Sequence, residues 1–247
     1  MKTRLFICVC ILFSLLSCSS SEKEQLETAL AFADTNRAEL EKVLEYYKND
    51  SLKLKAAIYL IENMPLYYTY KGSDLDSLHI ALEQYAVSDS YDKHLEYLKR
   101  FPYRNLFKEY DAKVITSEYL IENIEYSFKV WRETPWGKYV SFDNFCEFIL
   151  PYRIKDEPLT HWKKDFYHRF KPVLDSLYQG TDVVEATSCL SNYATSLHWK
   201  YQNELTGPHL SAQLLLELQL GDCTSIADFG CYMLRSVGIP VGIDAYL

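Results

Sequence analysis

Apolar residues recur at three- and four-residue steps along most of the chain, the period of a helix that buries one face. Leu26, Ala29, Leu30 and Ala33 form the first such stripe, and Leu40, Val43, Leu44 and Tyr47 the second. Asn36, with Glu39 three residues on, stands where it would cap the second helix. Ser51 is placed to cap a third, running through Ala57, Leu60 and Ile61 to Met64, where Pro65 removes a backbone donor and ends it. The same period predicts helices over Asp74 to Ala86, Tyr91 to Arg100, Ser117 to Trp131, Phe142 to Leu150, His161 to Tyr178 and Asp182 to Tyr201. Gly180 sits where a left-handed residue would close one helix before the next opens. Near the C-terminal end the pattern changes: Ala227, Cys231 and Leu234 share a helical face, Gly238 stops that helix, and the β-branched Ile239, Val241 and Ile243 alternate as a strand does. The expected class is mainly α, with an all-helical region over residues 25–205 followed at 206–247 by the beginning of an α+β core.

Composition narrows this further. Eight Gly and eight Pro in 247 residues are too few for a turn-dense β-sandwich. Hydrophobic residues at 48% and charged residues at 24% are those of a chain that folds, not of a disordered one. The balance of 26 Lys and Arg against 34 Asp and Glu, a net charge of −8, argues against nucleic acid as a partner, since phosphate binding calls for a basic stripe. The 21 tyrosines crowd the helical region, as at Tyr46, Tyr47, Tyr67, Tyr68 and Tyr70. At helical spacing they are read as half-buried core with the hydroxyl at the rim. The pentapeptide from Tyr59 to Asn63 recurs from Tyr119 to Asn123, without flanking similarity or a third copy, so it marks two amphipathic helices and not a repeat array.

The chain opens with Met1-Lys2-Thr3-Arg4 and an uncharged run from Leu5 to Leu16, too short to span a bilayer and suited to a secretory signal. Leu15-Leu16-Ser17-Cys18 resembles the lipobox of bacterial lipoproteins. The resemblance implies that residues 1–17 are removed, that Cys18 becomes the first, acylated residue, and that 18–24 form a polar tether. The protein would then be exported and held on a membrane, on the periplasmic or surface face of the outer membrane, by chains contributing roughly 0.8 kcal/mol per buried methylene.

With Cys8 and Cys10 in the signal and Cys18 carrying lipid, Cys146, Cys189, Cys223 and Cys231 remain. They show neither the density of a disulfide framework nor a CxxC or Cys/His zinc spacing, so no metal centre and no cofactor are expected. His161 and His168 share a helical face without a carboxylate that completes a ligand set, and the other histidines are scattered. Asp156-Glu157, beside Pro158, are expected to cap the following helix.

One segment carries chemistry. Gly221-Asp222-Cys223 opens an apolar helix that leads directly into a strand. The unpaired amides and positive dipole end of a helix start favour an anion, which places Cys223 to react as a thiolate. Gly221 would let backbone approach a bound acyl group, and the Cys223 amide would help to form an oxyanion hole, with Asp222 between them in the same backbone support. Cys231 lies about 12 Å up the same helix, beyond disulfide reach.

Gly221-Asp222-Cys223, the apolar helix with Ala227 four residues on, and Leu234-Arg235-Ser236-Val237-Gly238-Ile239-Pro240 resemble the catalytic core of the transglutaminase-like superfamily over about 35 residues from Ser211. Leu150-Pro151-Tyr152-Arg153-Ile154 and Asp156-Glu157-Pro158-Leu159 are similar to segments that precede this core in large exported bacterial members. The resemblance implies a papain-like Cys-His-Asp mechanism in which the cysteine attacks an amide carbonyl, a histidine serves as base and then acid, and an aspartate orients the histidine. Only Cys223 carries over. The family's histidine and aspartate follow the cysteine on later strands, no histidine follows Cys223, and the sequence stops at Asp244-Ala245-Tyr246-Leu247 in the first of those strands, so both are expected beyond it.

The implied function is a lipid-anchored thiol hydrolase or acyl transferase acting on peptide or protein amides, with the 247 residues alone expected to be inactive for want of that proton donor. If a base did lie within the helical region, His198 and His209 would be the first candidates. The alternatives are a non-catalytic helical lipoprotein that binds glycans or peptides, which leaves the Gly-Asp-Cys helix unexplained, and a scaffold whose transglutaminase-like core only recognises a partner.

Overall fold

A computed structural model of the chain describes residues 23–86, 105–202 and 207–244. The expected signal segment (residues 1–17), Cys18 and the helix expected over Tyr91 to Arg100 lie outside the described residues. Those residues hold ten α-helices and two small two-stranded sheets, a mainly α architecture as the hydrophobic period predicts. They divide into two compact units: one runs through Tyr67 and includes Tyr110–Ser117, and the other comprises Tyr68–Glu109 and the chain from Glu118 onward.

In the first unit, α1 (residues 23–32), α2 (Arg37–Tyr46) and α3 (Ser51–Asn63) bury Ala29, Leu30, Leu40, Val43, Leu60 and Ile61. The capping differs from the sequence expectation. Asn36 is itself helical and its side chain makes no cap; Nδ2 donates instead to the carbonyls of Ala112 at 3.0 Å and Ile115 at 2.9 Å. Glu39 does not reach back to Asn36 but accepts from the backbone N–H and hydroxyl of Ser117 at 2.8 and 2.7 Å. With Lys42 beside it, its carboxyl is held down to about 2. At α3 the cap is Asp50, whose extended backbone lets Oδ1 accept from Lys53 N at 3.1 Å, while Ser51 is the first helical residue.

The second unit contains α4 (Ser73–Ala86), α5 (Ser117–Glu133), α6 (Phe142–Phe148), α7 (Trp162–Leu177), α8 (Val183–Ser196), α9 (Ala212–Leu218) and α10 (Cys223–Ser236). Strand β1 (Tyr68–Lys71) pairs with β2 (Phe107–Tyr110), and β3 (Lys200–Tyr201) pairs in parallel with β4 (Leu220–Gly221), Lys200 opposite Leu220. The α10 face carrying Phe229, Tyr232, Met233 and Val237 packs with Trp162, Phe166 and Phe170 of α7. Rings of Trp162 and Tyr232 lie 4.8 Å apart and those of Phe166 and Phe229 5.6 Å. A second cluster seats Leu214 and Leu220 among Leu75, Leu78, Leu82 and Tyr85. The short β4 immediately before Cys223 is therefore gripped by apolar packing.

Three expectations are corrected here. The helix from Asp182 ends at Ser196 and does not reach Tyr201, because Lys200 N and Gln202 N donate across to Gln219 O and Gly221 O at 2.8 and 3.0 Å instead of four residues back. Gly180 is not left-handed: α7 ends when Tyr178 turns extended, and the glycine lies against the tip of the Tyr178 ring. Residues 239–244 form no strand among the described residues: Ile239 N bonds back to Leu234 O, Val241 N donates to Phe148 O at 3.4 Å and the Val241 carbonyl accepts from Arg235, whereas a strand requires a ladder. Gly238 does stop α10, at φ 78°, with Gly238 N on Arg235 O and Ile239 N on Leu234 O.

No helix of the described residues is long and apolar enough to cross a membrane.

Candidate functional site

Cys223 is the first residue of α10 and is exposed. The turn that presents it is built by Asp222, whose Oδ1 accepts from both the backbone N–H and the hydroxyl of Ser225 at 2.8 and 2.9 Å. That is the arrangement of a strong N-cap. Gly221 is buried beneath it, and a Cβ there would fall 2.2 Å from the Ser225 Cβ, so the missing side chain at 221 is accounted for by the serine that closes the turn. Gly221, Asp222 and Cys223 thus form one rigid strand-to-helix corner.

The other described thiols lie within helices and differ in kind. Burial pushes Cys146 up to about 12 and Cys231 up to about 11, and Cys189 is half-buried. All four are free, and the spacing of Cys223 and Cys231 along one helix keeps that pair beyond disulfide reach.

A second constellation lies on the same helix. Asp228, 1% exposed, places Oδ2 2.6 Å from Nδ1 of His209, whose backbone N–H donates to Asp156 Oδ1 at 2.9 Å. The hydrogen bond to Asp228 pushes the imidazole pKa up, against the opposing effect of burial, with Asp156 and Glu157 adding to the rise. His209 therefore addresses Asp228, and no hydrogen bond of the described residues joins it to Cys223. His198 is exposed. His161 and His168 meet Glu122 at 2.7 Å and the Tyr126 hydroxyl at 3.1 Å, on the outside of α7.

The expectation that Asp156-Glu157 cap the next helix is corrected by these contacts. Asp156 holds His209, while Glu157 folds back onto the backbone N–H groups of Ile154 and Lys155, both at 2.7 Å. Arg153 bonds the Glu157 carbonyl and the Thr69 hydroxyl, and Arg235 of α10 donates to the Arg153 carbonyl at 3.2 Å. This buried network ties the loop before α7 to the last turn of α10.

Sequence reading did not find the His209–Asp228 pair. The one local signal was an acid on the apolar face of α10 beside Phe229 and Tyr232, which calls for a partner when buried. Nothing local pointed to His209 as that partner.

Comparison with protein-family models, curated proteins and solved structures finds no match to this chain.

Proposed function

We propose that this chain belongs to an exported, lipid-anchored thiol enzyme of the transglutaminase-like kind, a hydrolase or acyl transferase that acts on peptide or protein amides with Cys223 as nucleophile. The observation that carries the reading is the exposure of Cys223 at the first position of a capped helix, while Cys146 and Cys231 are buried with raised pKa values. In the proposed step the Cys223 sulfur bonds to the carbonyl carbon, the C–N bond breaks, and the amine leaves with a proton. Water or a second amine then attacks the thioester and returns the thiol. In this reading the Cys223 amide serves the developing oxyanion, where preorganised donors contribute most, since the Ser225 and Ile226 amides are already taken by Asp222.

The test is intact-mass analysis after incubation with a peptide thioester, whose thiolate leaving group needs no protonation, so that acylation is read without a general acid. A hydroxylamine-labile adduct that maps to Cys223 and is absent from Cys223→Ala is expected. An adduct confined to Cys189, or none, refutes the assignment. The anchor is tested separately: wild type is expected in the detergent phase and Cys18→Ala in the aqueous phase, and equal aqueous partitioning overturns it.

A further inference from the structure

A pocket of about 160 Å³ lies against the first two turns of α10, and Cys223 is not among its walls. Its polar side is formed by Asp222, Asp228 and His209, and its apolar side by Leu78 and Leu82 of α4 with Leu210. Asp228 is almost wholly buried, and only half of its carboxylate is satisfied: Oδ2 meets His209, whereas Oδ1 has no hydrogen-bond partner among the described residues. A buried carboxylate oxygen left without a donor is costly, and native structures seldom leave one without a use.

The chemistry of the missing partner follows from what surrounds it. The Ser225 hydroxyl is already committed to Asp222, and no hydroxyl of the described residues, those of Thr224 and Tyr232 included, donates to Asp228 Oδ1. Two carboxylates against one imidazole make the lining acidic, with Asp156 behind His209 adding to that sign, and an anion is therefore disfavoured. A metal ion is not suited either, since no group of three or more His, Cys, Asp or Glu among the described residues is arranged to hold one. A cationic donor carrying a short apolar stem satisfies both walls at once.

We infer that this pocket binds a primary alkylammonium group, its N–H donating to Asp228 Oδ1 and its alkyl chain lying on Leu78, Leu82 and Leu210. The site is independent of thiol chemistry at Cys223. It also explains why an acid occupies the apolar face of α10: Asp228 orients His209 with one oxygen and receives the ligand with the other.

The experiment is a titration of the full chain with n-butylammonium chloride, followed by ¹H–¹⁵N correlation spectra. Saturable shifts centred on Thr224, Ser225, Asp228 and His209 are expected, with binding at least tenfold weaker in Asp228→Asn. Because a buried variant can fail to fold, two titrations of wild type test the same point: n-butanol and sodium butyrate share the stem without the cation and should give no saturable shift. Equal response to butanol, shifts located elsewhere, or undiminished binding by a folded Asp228→Asn would each overturn the site.

Discussion

The imidazole of His209 is held 2.6 Å from Oδ2 of Asp228, which ties the loop after Gly207-Pro208 to the second turn of the helix that Cys223 opens. A mostly buried ion pair across that gap makes the start of α10 sensitive to the protonation of one histidine.

The sign follows from the direction of the shift. A histidine whose pKa is raised on folding contributes stability that is fully present below its unfolded value, about 6.5, and is lost as pH rises through the folded value. The stability gap between wild type and His209→Gln should accordingly be larger at pH 5.5 than at pH 8.5, read as a difference in Tm. A gap that is flat or widens with pH would show that the pair does not form in solution.

Gly221→Ala should be strongly destabilising, by about 2 kcal/mol or more, because its methyl would meet the Ser225 Cβ at 2.2 Å and overpacking of this kind typically costs 1–3 kcal/mol. Since the clash is with the Cβ, Ser225→Ala should give no relief, whereas Ser225→Gly should recover part of the loss. Denaturant midpoints of the two double variants separate these outcomes.

Among the four described thiols, Cys223 should be alkylated first by iodoacetamide at mildly acidic pH, with Cys146 and Cys231 reacting only after denaturation. Peptide mapping over time checks the order. Early modification of a buried cysteine would mean that its helix opens locally.

Lys163 is buried between α5, α6 and α7, with Nζ donating to Ser127 Oγ at 2.6 Å and to the carbonyls of Ile149 and Leu150 at 2.8 and 3.1 Å, and burial pushes its pKa well down. Lys163→Met relieves the desolvation of one ammonium but takes the donor from the Ile149 carbonyl and from Ser127 Oγ, each worth about 1–3 kcal/mol, while the Leu150 carbonyl keeps Asn123 Nδ2 at 2.9 Å. The cost of those two acceptors wins, and a loss of about 3 kcal/mol in urea unfolding is expected.

Much of the fold was legible from periodicity. The stripes of α1 and α2 coincide with buried faces, the bounds of α5 and α7 agree to within a residue or two, and Gly238 stops α10 as its position implies, although Ala227 of the α10 stripe is exposed. Legibility was poorest where a backbone or side-chain group had a choice of partner. Asn36, Glu39 and Asp156 each looked like a local cap, and each instead bonds a segment far along the chain. Of the candidate site, the Gly221-Asp222-Cys223 corner could be read directly because its hydrogen bonds close within three residues, from Asp222 to Ser225.

Most of the helical stretches, and the place of Cys223 at the start of one, follow from local sequence, because helical hydrogen bonds and capping close within about four residues and the apolar period records the face to be buried; the short α9 does not. That α8 stops at Ser196 was settled by packing, since the Lys200 and Gln202 N–H groups find the carbonyls of Gln219 and Gly221 about twenty residues ahead. Packing likewise decided that His209 meets Asp228. Pairings of that kind depend on how packed helices bring distant residues into reach, and no local spacing in the chain encodes them.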